Sequence, residues 1–125
     1  MKGEFLMNNI DIMSWIDRLL CVSFKGKEIV EKQIKNSELT VEQNYSYISI
    51  KFKIKEGVDK FPFNIRVPLE MRIFQKTAAP IVFLLHIVNG IVNELEIITA
   101  DSSEIDISNL QYQKVEYEIN EELII

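Results

Sequence analysis

The sequence predicts an α+β domain in which two N-terminal helices pack on an antiparallel sheet of four or five strands with a central hairpin. Three observations predict it. Apolar residues recur at helical spacing from about Ile10 to Leu20 and again from Lys27 to Asn36. Residues 45–55, YSYISIKFKIK, alternate strictly between apolar and polar. Residues 81–98, IVFLLHIVNGIVNELEII, read as two strands joined at Asn89-Gly90. All 125 residues fit one domain, with residues 1–8 loose and residues 120–125 a short tail. That length buries a core without metal or disulfide support.

The first helix takes its cap from Asn8 or Asn9, with Asp11 favourable in the first turn. Ile12, Met13, Ile16, Leu19 and Leu20 form its inner stripe, with Trp15 at the margin and Cys21 packing as a small apolar residue. SFKG interrupts the pattern at 23–26. In the second helix Ile29, Val30, Gln33 and Ile34 face inward, and the pairs Glu28–Lys32 and Glu31–Lys35 support the wet side. Leu39 to Val41 starts a short strand. In the next strand Ile48, Ile50, Phe52 and Ile54 face the core, while Tyr47, Ser49, Lys51, Lys53 and Lys55 form a solvated row. That lysine row favours solvation over phosphate binding, and lysines also discourage edge pairing. Residues 65–75 alternate again, but Pro68 lacks a ladder donor, so this strand is at an edge or begins irregularly. Residues 112–119 form the last strand.

Asn-Gly meets the demand of a two-residue hairpin turn for positive φ at both positions. With Val88 and Ile91 as the closing pair, His86 faces Asn93, Leu84 faces Leu95, and Val82 faces Ile97. On the other side Ile87 faces Val92, Leu85 faces Glu94, and Phe83 faces Glu96. The incoming arm is apolar on both faces, so it is expected in the middle of the sheet and covered on both sides. Its partner exposes Glu94 and Glu96.

The net charge of −5 argues against nucleic acid as a partner, because phosphate binding needs clustered Lys and Arg. Residues 96–125 hold eight carboxylates and the single base Lys114, so the excess negative charge lies in the last quarter of the chain. Such a surface is either simply solvated or a docking face for a basic partner. With the single cysteine Cys21 no internal disulfide forms, which fits a reducing compartment. The N-terminus lacks the apolar run of a signal peptide, and no stretch is long enough to span a membrane. The expectation is a soluble cytoplasmic protein.

The catalytic motifs are missing: no glycine-rich phosphate loop, no GxSxG and no CxxC occurs, and His86 is the only histidine. No catalytic set, metal site or cofactor is expected, and nothing requires Cys21 and His86 to meet. His86, held by Asn93, reads as a packed histidine, with a ligand-binding pocket between helix and sheet as the other reading. Glu94 and Glu96, roughly 7 Å apart on one side of a strand, have a spacing compatible with paired carboxylates for sugar hydrolysis, but an open sheet face supplies no cleft. Contact with a basic partner fits better, with Asp101 and Glu104 extending the acidic surface.

RVPLE at 66–70, APIVFLLHIVNGIVNELEI at 79–97 and ADSS at 100–103 together resemble an uncharacterised bacterial domain family. FKGKE with Gln33 resembles that family's N-terminal segment. Asn89 stands where the family carries Asp, which keeps the turn chemistry, and Ser102 stands where Gly is common. The resemblance implies no catalytic residue. In size and style it is similar to small bacterial immunity proteins.

The expected function is therefore non-catalytic protein binding, with toxin neutralisation as its specific form. The alternative is a small-molecule binding module or cryptic enzyme with a pocket near His86. A homodimer formed through a sheet edge is a third reading.

Overall fold

The computed structural model describes residues 9–76, 78–107 and 110–125, with side chains from Ile12 onward. Two helices, α1 (Asn9–Leu19) and α2 (Lys27–Lys35), precede six strands: β1 (Glu38–Asn44), β2 (Tyr47–Lys53), β3 (Leu69–Gln75), β4 (Ile81–Val88), β5 (Ile91–Thr99) and β6 (Leu110–Ile119). They form one antiparallel sheet in the order β1-β2-β5-β4-β3-β6. The α+β class agrees with the sequence, but the sheet has six strands, not four or five. The short strand expected to start at Leu39 to Val41 is a full seven-residue strand, β1, which pairs with β2 along its length through a two-residue turn at Tyr45–Ser46. A cap by Asn8 and a loose segment 1–8 lie outside the described residues.

One face of the sheet carries the core. Ile48, Ile50, Met71, Ile73, Phe83, Leu85, Leu95 and Ile97 are fully buried there, and both helices pack on them. Trp15, expected at a margin, is 1 % exposed. Its ring meets Phe83 edge-on at 5.3 Å, and its indole N–H donates to Tyr112 Oη at 3.0 Å. An aromatic with one polar atom goes inside readily when that atom finds a partner. Cys21, expected inside, is exposed at the end of α1.

β4 is interior, as its apolar composition requires, but it is covered on one side only. Ile81, Phe83, Leu85 and Ile87 are buried, whereas Val82, Leu84 and His86 are half-buried on the face away from the helices. Among the described residues both helices pack on the first face, so neither covers the second.

The hairpin turns at Asn89 (φ 52°) and Gly90 (φ 79°) as predicted, and Val88–Ile91 and Ile87–Val92 pair as predicted. Beyond them the register shifts by one. His86 pairs with Glu94, Leu85 with Leu95, Leu84 with Glu96, and Phe83 with Ile97. Asn93 is the extra residue of a bulge, which lets Val92 and Leu95, three apart, both enter the core. The predicted register set Glu94 and Glu96 opposite Leu85 and Phe83, which are core residues, and the bulge removes that conflict.

The strand expected from residue 65 starts at Leu69, after Pro68, and lies inside the sheet between β4 and β6. The C-terminal residues form a 3-10 turn, Glu121–Leu123, that puts Leu123 fully in the core; Lys25 N–H donates to its carbonyl at 2.9 Å. No helix among the described residues is long and apolar enough to cross a membrane.

Candidate functional site

The open face of the sheet gathers the polar residues that the sequence singled out. Three strands supply its centre, since β5 lies between β2 and β4. Lys51, Glu94 and His86 form one cross-strand row; Ser49, Glu96 and Leu84 form the next; Tyr47, Ile98 and Val82 the third. The hydrogen bonds cross between rows. Ser49 Oγ and Tyr47 Oη donate to the same Glu94 oxygen, at 2.5 and 3.1 Å. His86 Nε2 lies 2.8 Å from Glu96 Oε1. Ser49, expected on a wet row, is 1 % exposed beneath this network.

The electrostatics follow from those contacts. Burial pushes the Glu94 carboxyl up, but the hydrogen bonds from Ser49 and Tyr47 and the charges of Lys51 and His86 outweigh it, so its pKa lies below the ordinary value. The Ser49 hydrogen bond acts downward on the Tyr47 phenol; burial and the Glu94 carboxylate act upward and prevail. Glu94 is thus held as an anion at neutral pH, with its hydrogen-bonding capacity partly used.

A second group lies nearer β6. Arg72 on β3 contacts Glu70 beside it and reaches Glu116 at 3.5 Å and Glu118 at 3.4 Å. Burial opposes the Arg72 charge, but the three carboxylates more than offset it. Paired positions on this face carry the glutamates 38, 42, 70, 94, 96, 116 and 118 against Lys51, Lys53 and Arg72, so the face is acidic.

The structure brings His86, Glu94 and Glu96 together and keeps the other candidates apart. Asn93 does not face His86; it occupies the bulge, and Glu94 takes that position. The expected pocket between helix and sheet at His86 does not form there, because His86 points to the side away from the helices. Asp101 and Glu104 are exposed beyond the end of β5, and Asp101 accepts the Ser103 N–H at 3.1 Å, which fixes the turn. Bonds from Ser103 hold the Asp101 carboxyl below its usual range. Cys21 sits instead with Tyr117, its Sγ 3.2 Å from the phenol oxygen. The Tyr117 hydroxyl donates to the Arg18 carbonyl at 2.7 Å, and burial together with Cys21 pushes its pKa up to about 12.

Sequence reasoning missed Ser49, Tyr47 and Arg72 as members of the network. Their contacts depend on β2 lying beside β5 and β3 beside β6, neither of which local patterning reveals. Among the described residues no group of three or more His, Cys, Asp or Glu side chains is arranged to hold a metal ion. Ser49 and His86 engage different carboxylates, so no serine–histidine pair forms among the described residues. Comparison with known proteins returns no matching family model, no matching curated protein and no matching solved structure.

Proposed function

We propose that this chain is a non-catalytic protein-binding domain whose contact surface is the open face of its sheet, and that its partner presents a basic surface. One observation carries the reading: the sheet face that no helix among the described residues covers combines half-buried Val82, Leu84 and Ile98 with the carboxylates of Glu94, Glu96, Glu116 and Glu118. Apolar centres rimmed by charge are what protein interfaces are built from. Complementary charge speeds encounter and excludes wrong partners. Glu94 and Glu96 are pre-positioned by Ser49, Tyr47 and His86, so their docking loses little side-chain entropy. Neutralisation of a basic toxin by a small immunity protein is the specific form of this function that best fits such a face. Asp101 and Glu104 lie past the strand end and extend the acidic surface outward.

The test is capture of binding proteins from the native host, followed by charge reversal of Glu116 and Glu118, which are exposed. Binding should weaken at least about tenfold and lose much of its salt dependence. Unchanged affinity in a folded double variant rules this face out as the contact surface.

A further inference from the structure

We propose that Asn89 is a latent modification site and that Gln33 keeps it closed. When the tip of the β4–β5 hairpin opens, the Asn89 side chain cyclises onto the Gly90 backbone nitrogen and is converted to aspartate or isoaspartate. Asn89 is the only asparagine of the chain that a glycine follows. It is exposed, and it lies outside the ladder, which closes at Val88–Ile91. Glycine carries no Cβ to shield the attacking nitrogen.

The chemistry needs only water. The Gly90 nitrogen attacks Asn89 Cγ, and a C–N bond forms as the Cγ–Nδ2 bond breaks. Nδ2 takes the Gly90 amide proton and leaves as ammonia. Water then opens the ring. Cleavage at Cγ restores an ordinary backbone with aspartate. Cleavage at the main-chain carbonyl leaves the chain running through Cγ, which is isoaspartate. Nothing is oxidised or reduced, and the chain gains one negative charge.

The folded tip opposes the first step. Positive φ at Asn89 (52°) and Gly90 (79°) sets the turn. Ring closure needs the peptide plane between them to rotate about the Asn89 Cα–C bond, so that the face of the nitrogen meets Cγ. That rotation carries Gly90 with it, and Gly90 is clamped from outside the hairpin. Its carbonyl accepts from Gln33 Nε2 at 3.0 Å and from the Phe61 N–H at 2.9 Å. Buried Gln33 is itself fixed, because its Oε1 accepts the Val92 N–H at 2.7 Å. A Cβ on Gly90 would stand 2.9 Å from Lys60 Cβ, so the tip has little slack on that side. A free-standing hairpin tip is held only by its own closing pair. Here α2 and the loop before β3 hold it too, and local opening of that clamp, not unfolding of the domain, sets the rate. Isoaspartate lengthens the main chain of a two-residue turn by one carbon, so the tip cannot close again on the same pair. Each opening that reacts is thereby recorded in the covalent structure.

Peptide mapping by mass spectrometry during incubation in mildly alkaline buffer tests this. Conversion at residue 89 should run at least about tenfold slower in the native chain than in the guanidinium-unfolded chain. Folded Gln33→Leu should convert at least about tenfold faster than native wild type. Gln33→Glu keeps the acceptor for Val92 but not the donor to Gly90, and should lie between them. Ile73→Ala is the control. Ile73 is fully buried and pairs with Ile81, at the far end of β4 from the turn, so its loss lowers global stability without freeing the tip. Its conversion rate should match wild type. Equal rates in native and unfolded wild type overturn the proposal. So does a folded Gln33→Leu that converts no faster than wild type. Equal acceleration by Gln33→Leu and Ile73→Ala overturns it as well, because global unfolding would then be the gate.

Discussion

Gln33 Oε1 accepts the Val92 N–H at 2.7 Å, joining the inner side of α2 to the strand that leaves the hairpin turn. β2 stops pairing with β5 at Lys51–Glu94, so Val92 lies beyond the reach of that strand. The same side chain donates from Nε2 to the carbonyls of Asp59 at 2.8 Å and Gly90 at 3.0 Å. Gln33 is 1 % exposed, and its amide completes the ladder where the sheet runs out.

Replacing Gln33 with Leu keeps the volume but leaves the Val92 N–H and the Asp59 carbonyl without their Gln33 partner, and the Gly90 carbonyl with the Phe61 N–H alone. Stability should fall by about 2–3 kcal/mol, read from urea denaturation. Gln33→Glu restores the acceptor but not the donors at neutral pH. It should fall between wild type and Gln33→Leu.

Gly90 adopts φ 79°, and a Cβ there would come within 2.9 Å of Lys60 Cβ and 3.1 Å of the Phe61 carbonyl oxygen. Phe61 N–H also donates to the Gly90 carbonyl at 2.9 Å, so the loop cannot retreat cheaply. Gly90→Val should destabilise by about 2–4 kcal/mol. Asn89→Gly, at a position that tolerates positive φ, should change the melting temperature little.

Glu94 carries a pH dependence with a definite sign. Its folded pKa lies below the ordinary value of 4.5. The stability it contributes is therefore present above that value and lost as pH falls through the lower folded one. Acidification from pH 6 to pH 3 should cost wild type more than Glu94→Gln, compared by urea midpoints. Equal losses in the two proteins would show that the Ser49 and Tyr47 hydrogen bonds do not favour the anion.

His86 and Glu96 should be coupled. A double-mutant cycle with His86→Ala and Glu96→Ala should return a coupling energy of about 0.5–1.5 kcal/mol. His86→Ala alone should lower stability, because the ring is mostly covered by its neighbours on the face. A coupling near zero would mean that the 2.8 Å contact adds nothing in solution.

The elements that local chemistry dictates were legible. Asn89-Gly90 identifies its turn through the φ it permits, and alternation in 45–55 identifies β2. Gln33 was placed on the inner side of α2, but its three backbone partners were not foreseeable, since they come from two distant loops and a strand. The bulge at Asn93 did leave a trace. Val92 and Leu95 are both large and apolar at a spacing that simple alternation cannot bury on one side. The pairing of β1 with β2 was only half visible, since Tyr45-Ser46 lacks the glycine or asparagine that announces such turns. On the open face His86, Glu94 and Glu96 were each identified, but their true neighbours depend on strand order, which is a property of the whole sheet.

The bulge has a practical corollary for the tolerance of this hairpin to length changes. In a regularly paired stretch of strand, loss of one residue would invert every side chain that follows it. At Asn93 it would not. Val92 already precedes the surplus position on the inner side and Leu95 follows it on the same side, so a chain shortened by that single residue would recover an unbroken ladder with both arms facing as they do now. The segment bearing the acidic pair can thus shed one residue and keep its orientation.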